Sequence, residues 1–156
     1  MKIAVSSDHR GRDVAEQIER HLRELGHEVL ASLPTDGEPS DYPDKAAEVG
    51  RAVASHAADL GVLICGTGIG MSIAANKVCG VRAALVHDEL TAGLAKSHNN
   101  ANVLCLSGDL LGERKISAII DKWIETEFEG GRHERRVEKI STIEKDAYKP
   151  GEPAGA

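Results

Sequence analysis

The residue best placed to do chemistry is Cys65, which ends the apolar run Leu60-Gly61-Val62-Leu63-Ile64 and opens the turn Gly66-Thr67-Gly68-Ile69-Gly70. A short helical stretch, Met71 to Lys77, comes next. Such a run predicts a buried parallel strand, so the thiol is carried to a carboxyl end, where open α/β sheets bind ligands. Backbone N–H groups at a strand-to-helix turn stabilise anions, a thiolate and a substrate oxyanion alike. The pattern therefore predicts cysteine acid–base chemistry on an anionic metabolite, with Thr67 adding a hydroxyl beside the sulfur. The turn reads G-x-G-x-G and lacks the Lys-Ser/Thr of a P-loop. It also follows the third strand, which fits a dinucleotide fingerprint poorly. An inert cysteine on a tight connection is the competing reading.

His98 ends a helix carrying Leu90 and Leu94, with Asn99 and Asn100 as C-terminal caps. A helix C-terminus favours an imidazolium and so a proton donor, although a purely capping histidine would look the same. Asp8 and His9 follow the first strand, at the predicted sheet edge of Cys65, and a helix-capping aspartate explains Asp8 equally well. Arg132, Arg135 and Arg136 follow Gly130-Gly131. The stripe Arg132, Arg136, Ile140, Ile143, Ala147 keeps helical spacing, so two guanidiniums continue a face expected to be buried. Cations in the first turns oppose the helix dipole unless an anion binds there, and arginine forks match phosphate oxygens. Tyr42, in Asp41-Tyr42-Pro43-Asp44, is a candidate contact for a substrate hydroxyl. Seven histidines form no compact zinc-ligand pattern with the cysteines, so no metal is expected.

Alternating strand-like and helix-like segments must position these groups. Strands are predicted at Lys2 to Ser7, His27 to Ser32, Leu60 to Cys65, Val81 to Val86 and Asn102 to Leu106. Between and after them come helices marked by Val14, Ile18, Leu22 and Leu25; by Ala46, Val49 and Val53; by Leu90 and Leu94; by Ile116, Ile119, Ile120, Trp123 and Ile124; and by Val137, Ile140, Ile143 and Ala147. Residues 33 to 43, with three prolines and an Asp-Gly, read as a long loop. The fold class is thus α/β: a three-layer α/β/α sandwich, Rossmann-like in layout, around a five-stranded parallel sheet. One domain over residues 1–148 and a disordered Pro/Gly/Ala-rich tail over 149–156 complete the organisation. Strand order is not legible from the pattern.

The bulk composition narrows the function. A formal charge of −6 and few aromatics argue against nucleic-acid binding. No segment reads as a signal peptide or membrane span, and three dispersed cysteines fit reduced thiols in a cytoplasmic protein. An anionic substrate would be repelled by the average surface, so its site must concentrate positive charge locally.

Taken together, these motifs resemble the type B ribose-5-phosphate isomerases and the related galactose- and allose-6-phosphate isomerases. The resembling blocks are Ser7-Asp8-His9-Arg10-Gly11, Asp41-Tyr42-Pro43, Cys65 to Gly70 through Ser72 to Lys77, His98 to Leu104, and Gly130 to Val137. They run in order from about residue 2 to 146. The resemblance implies aldose–ketose isomerisation through a cis-enediolate, without a cofactor. By the same resemblance Cys65 is the base, Thr67 assists, and the amides of Gly66, Gly68, Ile69 and Gly70 hold the enediolate oxygens. His98 would open the sugar ring with help from Asp8. His9, Arg132 and Arg136 match phosphate binders, and Tyr42 and Asn99 match hydroxyl contacts. A homodimer or tetramer whose sites combine two subunits is implied as well. The residues alone leave a thiol-dependent hydrolase or a non-catalytic sugar-phosphate or nucleotide-binding module open, and the family leaves a six-carbon sugar 6-phosphate open as substrate. One departure stands out: Asp109 occupies a place where many relatives carry a phosphate-binding arginine, and Arg10 is the candidate replacement for that charge.

Overall fold

The computed structural model of the chain describes residues 1–35 and 40–147. The five apolar runs form the strands β1 (Lys2–Ser7), β2 (Glu28–Ser32), β3 (Leu60–Cys65), β4 (Ala83–Leu85) and β5 (Val103–Ser107). The helices are α1 (Arg12–Glu24), α2 (Tyr42–Ala54), α3 (Ile69–Ala75), α4 (Glu89–Asn99), α5 (Glu113–Glu125) and α6 (Arg132–Ala147). All four strand pairings are parallel, in the order β2-β1-β3-β5-β4. The expected α/β sandwich around a five-stranded parallel sheet is what forms.

Period-two alternation along the strands divides the core between the two faces of the sheet. Ile3, Val5, Val62, Ile64, Leu104 and Leu106 meet Ile18 and Leu22 of α1 and Ile119 and Trp123 of α5. Ala4, Leu63, Cys65, Val103 and Cys105 meet Val49 and Val53 of α2 and Met71 of α3. Each fully buried aliphatic side chain contributes about 1.5–3 kcal/mol, so burial of the central strands on both faces makes them the rigid base of the fold. No helix among the described residues is long and apolar enough to cross a membrane.

Several elements depart from the sequence reading. The loop expected over 33–43 ends at Asp41, because Pro43 occupies the first turn of α2, where its fixed φ suits a helix start; residues 36–39 of that loop and the tail over 149–156 lie outside the described residues. The strand expected over Val81 to Val86 is only Ala83–Leu85. Side-chain amides take over at its start: Asn102 accepts from the Arg82 N–H at 2.7 Å, and Asn76 both accepts from and donates to Ala83 at 2.9 Å. Leu25 caps α1 and is half exposed, and Leu90 and Leu94 face outward while Ala92 and Ala95 face the core.

The stripe Arg132, Arg136, Ile140, Ile143, Ala147 is also exposed rather than buried: Ile140 and Ile143 are 45% and 70% accessible, and His133 is the buried residue of α6. The helix docks on α4 through a different face.

Gly61 fixes how closely α2 approaches the sheet. A Cβ there would lie 2.6 Å from Val49 Cγ1 and 3.2 Å from Val103 Cγ2, both on branched side chains with little freedom to move. Gly61→Ala should therefore destabilise the protein by about 1–3 kcal/mol in urea unfolding; an unchanged midpoint would show that the helix can shift outward at no cost.

Candidate functional site

β3 delivers Cys65 to the carboxyl edge of the sheet, where its side chain is 5% exposed and Sγ accepts the Gly68 N–H at 3.1 Å. The α3 that follows has only seven residues, so the helix dipole expected at this turn is small, and the directed contact that the sulfur receives is the Gly68 N–H. Gly68 can aim its amide back because it adopts φ +76, and a Cβ on it would also strike Leu85 Cδ1 at 2.6 Å. The other glycines of the motif have their own reasons. The Tyr42 ring lies where a Gly70 Cβ would be, with Cε2 at 2.6 Å, and a Gly66 Cβ would meet Asp109 Oδ2 at 2.9 Å and Arg10 Nε at 3.0 Å.

An open cavity of about 470 Å³ surrounds the thiol. Its walls come from three successive strand-to-helix turns and one more: Asp8 and Arg10 after β1, Tyr42 after β2, Cys65 to Gly70 after β3, and Asp109 after β5. Asp8 is 7% exposed, and its Oδ1 accepts the amides of Arg10 at 2.9 Å and Gly11 at 3.0 Å. It thus braces the turn before α1 and is not itself the helix cap, which is Gly11. His9 beside it is exposed, and Thr67 Oγ1 accepts the Ile69 N–H at 3.3 Å. Arg10 Nη2 pairs with Asp109 Oδ2 at 2.6 Å, so the candidate replacement charge lies against the very carboxylate that stands in the arginine's place. Among the other cysteines, Cys79 is exposed and Cys105 is fully buried. Burial, and then the neighbouring Cys65, pushes the Cys105 thiol well above its ordinary range, so it is not a competing nucleophile.

His98, Asn99, Arg132 and Arg136 are elsewhere. Because every strand is parallel, α4 must run back across the sheet, and it ends at the amino edge: the C-cap carbonyl of Asn100 accepts from Arg82 Nε just ahead of β4 at 2.9 Å, and Asn102 O accepts from Gly61 N at the start of β3 at 2.9 Å. A six-residue strand thus separates His98 from Cys65, roughly 20 Å at about 3.3 Å per residue. Within one chain the predicted residues form two half-sites at opposite edges.

The second half-site contains two residues that the sequence reading passed over. His133 is buried and stacks on His98, with ring centroids 4.0 Å apart and planes 8° from parallel. Glu129, from the α5–α6 connection, approaches both rings, with Oε2 3.9 Å from His98 Nε2 and 3.4 Å from His133 Nε2. Their i, i+4 spacing around Gly130-Gly131 was the available signal. His98, Glu129 and His133 bring ligand atoms within 4.8 Å of one another, a grouping that the sequence spacing did not predict. Two features weigh against a cation there. The stacked rings hold their lone pairs parallel instead of convergent, and Arg132 Nε donates to His133 Nε2 at 3.2 Å. That bond makes His133 a neutral acceptor that orients Arg132, while its ring fixes the plane of His98.

Comparison with known proteins supplies a context for these half-sites. A model of the ribose/galactose isomerase family, described as "Ribose/Galactose Isomerase", matches residues 3–140. The chain is 43% identical over 143 residues to ribose-5-phosphate isomerase B of Escherichia coli (strain K12), covering 92% of this chain and 96% of that protein. Among solved structures, ribose-5-phosphate isomerase B from Clostridium thermocellum superposes with a TM-score of 0.90 at 45% identity, covering 94% of this chain and 99% of the other. The enzyme of the same name from Mycoplasma genitalium, solved with bound ribulose-5-phosphate, gives a TM-score of 0.89 at 45% identity, covering 93% and 97%.

Burial, followed by the neighbouring His98 and Arg132, lowers the pKa of His133 below its ordinary value. The unfolded chain then binds more protons than the folded one below about pH 6.5, so the stability from a neutral His133 is full above that pH and is lost as pH falls toward the depressed value. Urea unfolding should show stability decreasing between about pH 7.5 and pH 5.5, and His133→Phe should flatten that limb. An identical slope in the variant would mean that other groups carry it.

Proposed function

The chain belongs to the ribose/galactose isomerase family, and from that premise we propose that it interconverts D-ribose 5-phosphate and D-ribulose 5-phosphate through a cis-enediolate. The observation that carries the reading is the placement of Cys65: a sulfur held by the Gly68 N–H in the wall of a cavity sized for a small sugar phosphate. The ligand of the Mycoplasma genitalium relative, ribulose-5-phosphate, fits the same class.

In this reading the ring of the bound furanose opens first. His98 takes the anomeric hydroxyl proton as the C1–O4 bond breaks, and a proton is delivered to the freed ring oxygen O4 with help from Asp8, so the net change is one proton moved from O1 to O4. The Cys65 thiolate then removes the proton from C2, leaving an enediolate whose two oxygens are held by amides of the Gly66–Gly70 turn. Passage of the O2 hydroxyl proton to O1 and return of the carbon-bound proton to C1 complete the ketose and regenerate the thiolate, so no electron acceptor and no cofactor enter the balance. Thr67 hydrogen-bonds near the sulfur. Tyr42 and Asn99 hold hydroxyls, and His9, Arg132 and Arg136 hold the phosphate.

Cys65 and His98 can serve one sugar only if they come from different subunits, since one chain keeps them at opposite edges of the sheet. A homodimer is therefore part of the proposal, and exposed apolar side chains support it: Ile69 and Ile73 beside the thiol, Ile140 and Ile143 on the outward face of α6. Asp109 in the cavity wall, where many relatives carry an arginine, keeps a second substrate class open, six-carbon sugar 6-phosphates, and rates with allose 6-phosphate and ribose 5-phosphate side by side separate the two.

Incubation with ribose 5-phosphate in D₂O should wash deuterium into C1 and C2. Cys65→Ala should abolish the wash-in and lower kcat by about 100- to 10,000-fold while the sugar phosphate still binds. Wash-in that survives without the thiol would assign the base to another group; binding with no turnover by the wild-type protein would leave a binding module.

A further inference from the structure

Among the described residues that line the Cys65 cavity, Arg10 is the one cation, against two carboxylates, Asp8 and Asp109. Asp8 is already engaged by two backbone amides. In a chain of net charge −6, an anionic substrate entering this half-site therefore depends on what Arg10 does. The arginine is not left to wander. The Gly108 N–H donates to Cys65 O at 2.9 Å and the Asp109 N–H to Gly66 O at 3.1 Å, which ties the turn after β5 to the residues beside the thiol. Ser107 Oγ reinforces that joint by donating to Gly66 O at 2.6 Å. The Arg10 N–H is held by Asp8 at 2.9 Å, and the Asp8 N–H in turn donates to Ile64 O at 3.2 Å, so the backbones on both sides of the ion pair are anchored to the end of β3 or the turn after it.

Between these anchors the side chains of Arg10 and Asp109 meet directly above Gly66, where a Cβ would be within 3.0 Å of both. The pair is too exposed to add much to stability, with side-chain accessibilities of 59% and 37%. Its consequence is geometric instead. A guanidinium has five N–H donors in a rigid fork, and one bond through Nη2 to Asp109 fixes the direction of the rest.

We infer that Asp109 is a positioning residue that holds the Arg10 fork toward the cavity, where it binds the phosphate of the sugar substrate. The inference rests on the isomerase reading for the identity of that substrate. Two effects of opposite sign meet at Asp109. Its own charge repels a phosphate, whereas its hold on Arg10 improves the fork that binds one. The anchored geometry over Gly66 makes the second effect the larger.

The test compares wild type, Arg10→Ala, Asp109→Asn and the double variant at one ionic strength. It reads KM and kcat for ribose 5-phosphate and the inhibition constant of inorganic phosphate. Arg10→Ala should raise KM and the inhibition constant by about tenfold or more, as for loss of a charged hydrogen bond, and affect kcat far less. Asp109→Asn should raise both constants by roughly three- to tenfold although it removes a negative charge, and the double variant should match Arg10→Ala alone. A fall or no change in KM for Asp109→Asn would overturn the inference, as would additive losses in the double variant. If the wild-type protein does not turn over the sugar, the isomerase reading fails; calorimetric titration of the four proteins with inorganic phosphate then decides the role of Asp109 in the same way.

Discussion

A parallel sheet sends every strand out at one edge and brings every helix back to the other. That constraint governs this protein more than any single contact. Residues that follow strands, namely Asp8, Arg10, Tyr42, Cys65 to Gly70 and Asp109, collect at the carboxyl edge around one cavity. A residue at the end of a returning helix, such as His98, is delivered to the amino edge, where α6 brings Arg132 and His133 to meet it. No rearrangement of side chains can join the two groups across a buried strand about 20 Å long. A chemistry that needs both must use a second copy of the chain, and the apolar residues left in water at each edge are suited to cover one another.

The two half-sites solve different electrostatic problems. At the carboxyl edge the sulfur receives one short, directed amide from a turn whose three glycines admit, in order, an ion pair, a left-handed backbone and an aromatic ring. Local backbone geometry, not a long helix dipole, sets the environment of the thiol. At the amino edge a buried, neutral imidazole lies between a histidine and an arginine and keeps both in place.

Much of this was legible in the residues. The strands were readable because β3 and β5 are buried on both faces and so appear as unbroken apolar runs. The edge strand β4 was overextended because side-chain amides of Asn76 and Asn102, invisible to hydropathy, replace ladder bonds at its start. The stripe on α6 was misjudged for a different reason: helical periodicity reveals that a face wants cover but not whether its own chain provides it. The separation of Cys65 from His98 follows from topology, which spacing in the sequence does not encode, and His133 was hidden among the polar residues of Gly130 to Arg136 because its partner lies more than thirty residues away on α4. Arg10 and Asp109 were recognised as exchanged charges, but only the fold places them against each other over Gly66.

The measurement that tests the central claim most directly is subunit complementation between Cys65→Ala and His98→Asn. Each variant alone should be nearly inactive. After subunit exchange, each mixed dimer should contain one site with both wild-type groups and one with neither, so random pairing should restore about a quarter of the wild-type activity. Mixtures that stay as inactive as their parents, with exchange verified by mass, would contradict a site shared between two chains.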